Sequence, residues 1–255
     1  MLLPLRNELR LRIGPLNSGA EVWSGGLFPR LAGEASFADR TGDPIDALLG
    51  ALDHGELSLP RYASICAEDE YVYYATLPGL GSWKEAHAAA CDYFADMLGE
   101  DDMLIDTTLA PCGTRWIAAA VDAAQVDGWR DTLERHDIEL RSVRPALLED
   151  LWALRPRVDL VDGLLVLLRS EGASMISLRA NAVCDIVWER FDVADSTTLT
   201  ERINSAARDL CCDSGTDSPV PVCLVPQNAD GVQSLLELAQ RRGWQFSDAL
   251  LRHST

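Results

Sequence analysis

A duplicated α/β fold is predicted for this chain, on three observations. One order of elements, three short strands, a helix, a strand and a helix, is written twice, once from residue 8 and again from residue 164. Short turns stand at matching places in the two copies, Gly14 to Gly19 and Arg169 to Ser174. An extra strand–helix–strand unit interrupts the first copy before the second begins. The first half, with its insert at about 100–144, is expected to span 1–156, and the second half 157–255.

Each element has a local cause. Leu9, Leu11 and Ile13 alternate with Arg10 and Arg12, the period of a half-buried strand. A second strand is expected at Ala20 to Trp23 and, after Gly25-Gly26, a third running toward Phe37. Asp43-Pro44 opens a helix as cap and first-turn proline, with Ile45, Leu48, Leu49 and Leu52 as its buried stripe. Tyr62 to Cys66 and Tyr71 to Leu77 read as strands, and Glu68-Asp69-Glu70 between them as a hairpin turn. Ser82 and Glu85 form a capping box for a helix faced by His87, Ala90, Cys91, Phe94 and Leu98.

The insert follows. Met103 to Leu109 and Arg115 to Val121 read as strands, Val126, Trp129 and Leu133 as one face of a helix, and Ile138 to Val143 as another strand. Pro145 starts a helix carrying Leu147, Leu148, Leu151 and Trp152, and Pro156 ends it. In the second half, strands are expected near Leu164 to Leu168, Ser174 to Arg179, Val183 to Phe191 and Val220 to Val225. Thr198 and Glu201 are read as the cap of a helix faced by Leu199, Ile203, Ala206, Ala207 and Leu210. A last helix runs from Val232 to Arg242, closed by Gly243, before a strand at Trp244 to Phe246.

Composition excludes some partners. The 255 residues carry a formal net charge of −18, which repels nucleic-acid phosphates and anionic lipid headgroups. Lys84 is the one lysine, so arginine supplies the rest of the basic charge. No apolar run approaches the ~20 residues of a membrane span, and Met-Leu-Leu-Pro-Leu-Arg lacks the layout of a secretory signal. The seven cysteines show no metal-ligand or redox spacing, and free thiols in a cytoplasmic protein are expected.

Two stretches, "PRYASICAEDEYVYYATLPG" and "TRWIAAAVDAAQVDGWRDTLERHDIELRSVRPALL", carry a family resemblance. They resemble the actin-like type IV pilus assembly protein PilM and are similar to the cytoplasmic domain of the type II secretion protein GspL. The resemblance implies an actin-like (ribonuclease-H-like) duplicated fold with an inserted strand–helix–strand subdomain. It implies a cytoplasmic scaffold, peripheral to the inner membrane, that binds the cytoplasmic tail of an inner-membrane pilus or secretion protein, or the secretion ATPase; homodimerisation is left open. The insert, Met103 to Val143, would form one wall of a groove for an extended partner segment. Trp116, Val143 and Arg144 are its candidate partner-binding residues, with Arg144 as an anchor for an acidic or carbonyl group. Trp23 and Trp129 are further candidates, against a plain core role.

Actin-like ATPases hold nucleotide phosphates with one strand-to-strand turn from each half, which needs small residues and an acid to position Mg²⁺. Here Arg12 and Ile13 stand where that acid precedes the first glycine, and Leu168 and Arg169 where it belongs in the second turn. Val225-Pro226-Gln227-Asn228 replaces a glycine-rich adenosine loop. No catalytic, cofactor-binding or metal-binding residue is therefore assigned, and no cofactor is expected. Asp159 and Asp162-Gly163 lie before the strand rather than in the turn after it. His54, His87, His136 and His253 show no ligand spacing, Cys112 has no marked base, and Cys211-Cys212 reads as two thiols. Glu100-Asp101-Asp102 reads as a solvated loop. The alternative to a silent scaffold is an ATP-binding actin-like ATPase or kinase relative with unconventional phosphate turns. A ribonuclease-H-like nuclease would need clustered acids for two metals, and no such set is evident in the sequence.

Overall fold

The computed structural model describes residues 7–26, 28–38, 42–53, 58–79, 81–99, 102–110, 115–158, 161–214, 219–227 and 231–251, the side chains of 211–214 excepted. Within these the chain has the actin-like fold, built from two five-stranded sheets of identical layout and one three-stranded sheet. It divides into two compact units.

The first unit comprises Met1–Val72, Asp102–Leu104 and Val121–Leu148. Its sheet has the order β3-β2-β1-β4-β8, from β1 (Glu8–Ile13), β2 (Ser18–Ser24), β3 (Arg30–Phe37), β4 (Tyr62–Ala67) and β8 (Glu139–Pro145). β2 runs antiparallel to β1 and β3, whereas β1–β4 and β4–β8 are parallel. Leu9, Leu11, Ile13, Ala63, Ile65 and Ala67 are buried, as the alternation requires. α1 (Pro44–Asp53) buries Ile45, Leu48, Leu49 and Leu52, and Asp43 caps it by accepting the Ile45 N–H at 2.9 Å. α3 (Ala123–Arg135) buries Val126, Trp129 and Leu133. Trp129 meets the Tyr71 ring edge-on at 5.6 Å, which makes it core and not groove lining.

The second unit comprises Tyr73–Asp101, Ile105–Ala120 and Glu149–Thr255. Its sheet has the order β11-β10-β9-β12-β13, from β9 (Gly163–Leu168), β10 (Gly172–Arg179), β11 (Ala182–Arg190), β12 (Val222–Pro226) and β13 (Gln245–Phe246). Directions repeat those of the first sheet: antiparallel at β9–β10 and β10–β11, parallel at β9–β12 and β12–β13. α5 (Ser196–Ser214) and α6 (Val232–Arg242) pack Leu199, Ile203, Leu238 and Ala239 against Leu164, Val166, Leu168 and Met175. The duplication read in the sequence is therefore a duplication of topology.

Residues 73–77 of β5 (Tyr73–Leu77) pair antiparallel with 116–120 of β7 (Trp116–Asp122), and β6 (Met103–Leu109) completes the order β5-β7-β6. α2 (Trp83–Leu98) carries the expected capping box of Ser82 and Glu85. Its Trp83 Nε1–H donates to the Thr107 carbonyl at 3.2 Å. β5 lies beside β11, where the Thr76 hydroxyl donates to the Cys184 carbonyl at 2.9 Å.

Three local expectations are corrected. Glu68-Asp69-Glu70 is not a hairpin turn: Asp69–Tyr71 is one 3-10 turn, and β4 and β5 belong to different sheets. The strand expected from Tyr71 accordingly begins at Tyr73. Pro145 ends β8 rather than opening a helix, and α4 spans Ala146–Leu154. At α5 the cap is Asp195, not Thr198: its carboxylate accepts the Thr197 N–H at 3.0 Å and the Thr198 hydroxyl at 2.7 Å. The Thr198 hydroxyl, then the Thr197 and Thr198 amides, hold that carboxyl below its ordinary pKa.

Candidate functional site in the two turns

In both units a parallel strand pair ends in the same hydrogen bond. After β4, the Glu68 N–H donates to the Ile13 carbonyl at 2.9 Å. After β12, the Gln227 N–H donates to the Leu168 carbonyl at 3.3 Å. Gly14 and Arg169 are thus equivalent positions at the mouths of the two turns, and Glu68 is the counterpart of Gln227.

The first turn is closed by its own groups. The Gly14 N–H donates to Ser18 Oγ at 3.2 Å, and the Ser18 hydroxyl donates back to the Gly14 carbonyl at 3.1 Å. A Cβ at Gly14 would meet the Asn17 carbonyl oxygen at 2.8 Å and Glu68 Cγ at 3.0 Å. Glycine is therefore needed here for the close approach of this turn's own backbone and Glu68. The Glu68 carboxylate is buried and takes a charge-assisted hydrogen bond from Arg12 Nε. Asp69, only 1% exposed, accepts the Leu147 N–H of the first turn of α4 at 3.2 Å. Two of the three acids read as a hairpin turn are thus buried and structural.

The second turn is built around an arginine. Arg169 is 2% exposed, and its guanidinium donates to Asp150 Oδ2 at 2.5 Å. Its N–H donates to the Gly172 carbonyl at 2.8 Å. Gly172 sits against the neighbouring strand: a Cβ there would run into the Glu189 carbonyl, with its carbon at 2.9 Å. The Glu171 carboxylate, largely covered, lies 2.8 Å from the exposed Arg190 guanidinium, while the Phe191 N–H donates to the Glu171 carbonyl at 2.9 Å. Each turn thus holds a buried arginine–carboxylate pair whose charges compensate each other.

Sequence reasoning identified both turns but not these pairs. It read Arg12 and Arg169 only as replacements for an acid. Their partners, Glu68 and Asp150, come from other elements and carry no local signal. One sequence clue exists: Arg169 follows the unbroken apolar run Leu164 to Leu168, so it had to leave a buried strand with a counter-charge nearby.

The candidate partner-binding residues fall in different units. Trp116 opens β7 in the second unit, opposite Leu77 and half-buried. Val143 and Arg144 are neighbours on β8, paired with Ile65 and Cys66 of β4, so they stand on opposite faces of the first sheet. Trp23 donates from Nε1 to Glu21 at 2.8 Å and lies under Arg10, 5.2 Å away. Asp162 accepts the Ala180 N–H at 2.7 Å in the β10–β11 turn, and Asp159 lies outside the described residues. His87 stacks on Trp83, and His136 Nε2 lies 2.8 Å from Asp46; His54 and His253 are outside the described residues. Cys66, Cys91, Cys184 and Cys223 are free thiols, and burial pushes the Cys223 thiol up to about 11. Cys112 and the Cys211 and Cys212 side chains lie outside the described residues, as do Glu100 and Asp101.

No protein-family model matches the chain, and no curated protein matches it in sequence. Solved structures do match. A chain of a PilM–PilN type IV pilus biogenesis complex superposes with a TM-score of 0.62 at 17% identity, over 95% of this chain and 88% of that one. A Bacteroides thetaiotaomicron protein with an actin-like ATPase fold and unknown function gives 0.59 at 10% identity, over 97% and 91%. The cytoplasmic domain of EpsL, an inner-membrane component of the type II secretion system of Vibrio cholerae, gives 0.53 at 13% identity, over 86% and 82%. The resemblance read from the sequence and the structural likeness meet in one architecture, and the chain has the actin-like fold of PilM and of the EpsL cytoplasmic domain.

Proposed function

We propose that this protein is a non-catalytic, cytoplasmic scaffold of a type IV pilus or type II secretion-like assembly, which binds a segment of an inner-membrane partner or the assembly ATPase. One observation carries the reading. The amide that a nucleotide phosphate would use at the mouth of the first turn, Gly14 N–H, is held by Ser18, and the Glu68–Arg12 pair packs beside it. A phosphate cradle works by presenting backbone N–H groups to the anion. Here the Gly14 N–H is turned to Ser18 instead, next to a buried carboxylate. The likeness to a PilM–PilN complex and to an inner-membrane secretion component supports the choice of assembly.

Calorimetry with Mg-ATP tests the scaffold against the ATP-binding alternative. The expected result is no heat of binding up to millimolar nucleotide. Micromolar binding would overturn the scaffold reading.

The proposed contacts are Val143 and Arg144 on β8 and, in the second unit, Trp116 on β7. Alanine at Arg144 or at Trp116 is expected to weaken pull-down by the cytoplasmic segment of an inner-membrane assembly protein, with the unfolding temperature unchanged. Unchanged capture by both variants, or capture lost only together with the fold, would remove these residues from the interface.

A further inference from the structure

β8 is the outer strand of the first sheet, and its pairing with β4 contains an irregularity. Ala63 pairs with Leu140, but Ser64 pairs with Ser142, so Arg141 is an extra residue on the edge strand. The bulge has a chemical result. In a regular strand, residues three apart point to opposite faces, so Arg141 and Arg144 would be separated by the sheet. Here Arg144 pairs with Cys66, and Tyr62, Ser64 and Cys66 share one face by their alternation. The Arg141 guanidinium lies 3.4 Å from the centre of the Tyr62 ring on that same face. The extra residue thus gathers two exposed guanidiniums, with Ser142 between them, onto one side of the edge strand. Tyr62 supplies a shelf that fixes the first of them by cation–π contact. Glu139, opposite Tyr62, is the one acid in the strand.

We propose that β8 recognises an extended acidic segment, which adds beside Ser142–Arg144 as a further strand and sets carboxylates against Arg141 and Arg144. Strand addition supplies backbone hydrogen bonds, and alternate side chains supply the choice of partner. Charge complementarity selects the occupant. In a chain of net charge −18, a paired-arginine edge is a local exception that favours a carboxylate-bearing partner and disfavours a basic one. This inference rests on the scaffold reading and names the chemistry of its partner segment.

The probe is a fluorescein-labelled peptide of alternating glutamate and valine, followed by anisotropy against the intact protein. Three comparisons accompany it: the lysine–valine counterpart, the same acidic peptide N-methylated at alternate residues, and the Arg141→Glu/Arg144→Glu variant. The acidic peptide is expected to bind, more weakly as salt rises, and the lysine and N-methylated peptides are expected not to bind. The double variant should bind about tenfold more weakly or worse, with an unchanged circular dichroism spectrum, since both side chains are exposed. Arg141→Gln/Arg144→Gln, which removes charge without reversing it, should fall between. Equal binding of acidic and basic peptides, or an affinity indifferent to both variants, overturns the acidic preference; retained binding of the N-methylated peptide overturns strand addition. If Mg-ATP binds instead, the scaffold reading fails, whatever the peptides do. If neither nucleotide nor acidic peptide binds, the acidic-segment inference alone falls.

Discussion

Replacing Arg169 by alanine is expected to cost about 3–5 kcal/mol of folding stability, the range for breaking a buried ion pair by removing one partner. Arg169 is almost fully enclosed and donates to Asp150 at 2.5 Å. Its loss takes the guanidinium away from a carboxylate that is itself only 6% exposed. With domain stabilities commonly near 5–15 kcal/mol, the variant should unfold at a much lower denaturant concentration. The paired change Arg169→Met/Asp150→Leu should recover most of the loss, because two apolar groups of similar volume owe no desolvation. Urea unfolding of the single and double variants checks this. A loss under ~1 kcal/mol in the single variant would mean that the pair is solvated and not structural.

The second large effect is expected at Gly172. A methyl group there would overlap the Glu189 backbone carbonyl, and a backbone atom has no rotamer by which to move aside. Gly172→Ala should therefore cost ~3 kcal/mol, the upper end of overpacking penalties. Gly19→Ala is the control, since its methyl would meet only the Ala35 carbonyl at an ordinary 3.8 Å, and a change within ~0.5 kcal/mol is expected. Thermal unfolding of the two variants separates a steric cause from a general loss of glycine. Equal behaviour would show that β10 and β11 can part at no cost.

These effects also mark what could be read from the residues alone. Alternation gave β1, and the Ser82 and Glu85 pair gave the start of α2, because both signals are local. The parallel placement of β8 beside β4 was not legible, since no turn joins those strands and their pairing is decided by burial. The roles of Glu68 and Asp69 were hidden for the same reason. Three acids in a row look solvated, and only a distant arginine and a distant helix start make two of them buried groups. The turns were found by glycine and position, but what fills them came from side chains far along the chain.

The parallel pairing of β8 also bears on how the protein folds. Tyr62 and Glu139 meet in the sheet, yet β5, α2, β6, β7 and α3 are all synthesised between them. Such contacts repay their loop-closure entropy late, which slows folding and leaves the β4 edge bare while the chain is incomplete. Refolding should therefore show a slow phase in which the first sheet ends at β4. During that interval the outermost strand is Tyr62–Ala67, whose inward side chains are apolar, and the nascent protein is most open to pairing with another chain. The arginine-bearing strand that arrives last replaces an aggregation-prone border with a charged one.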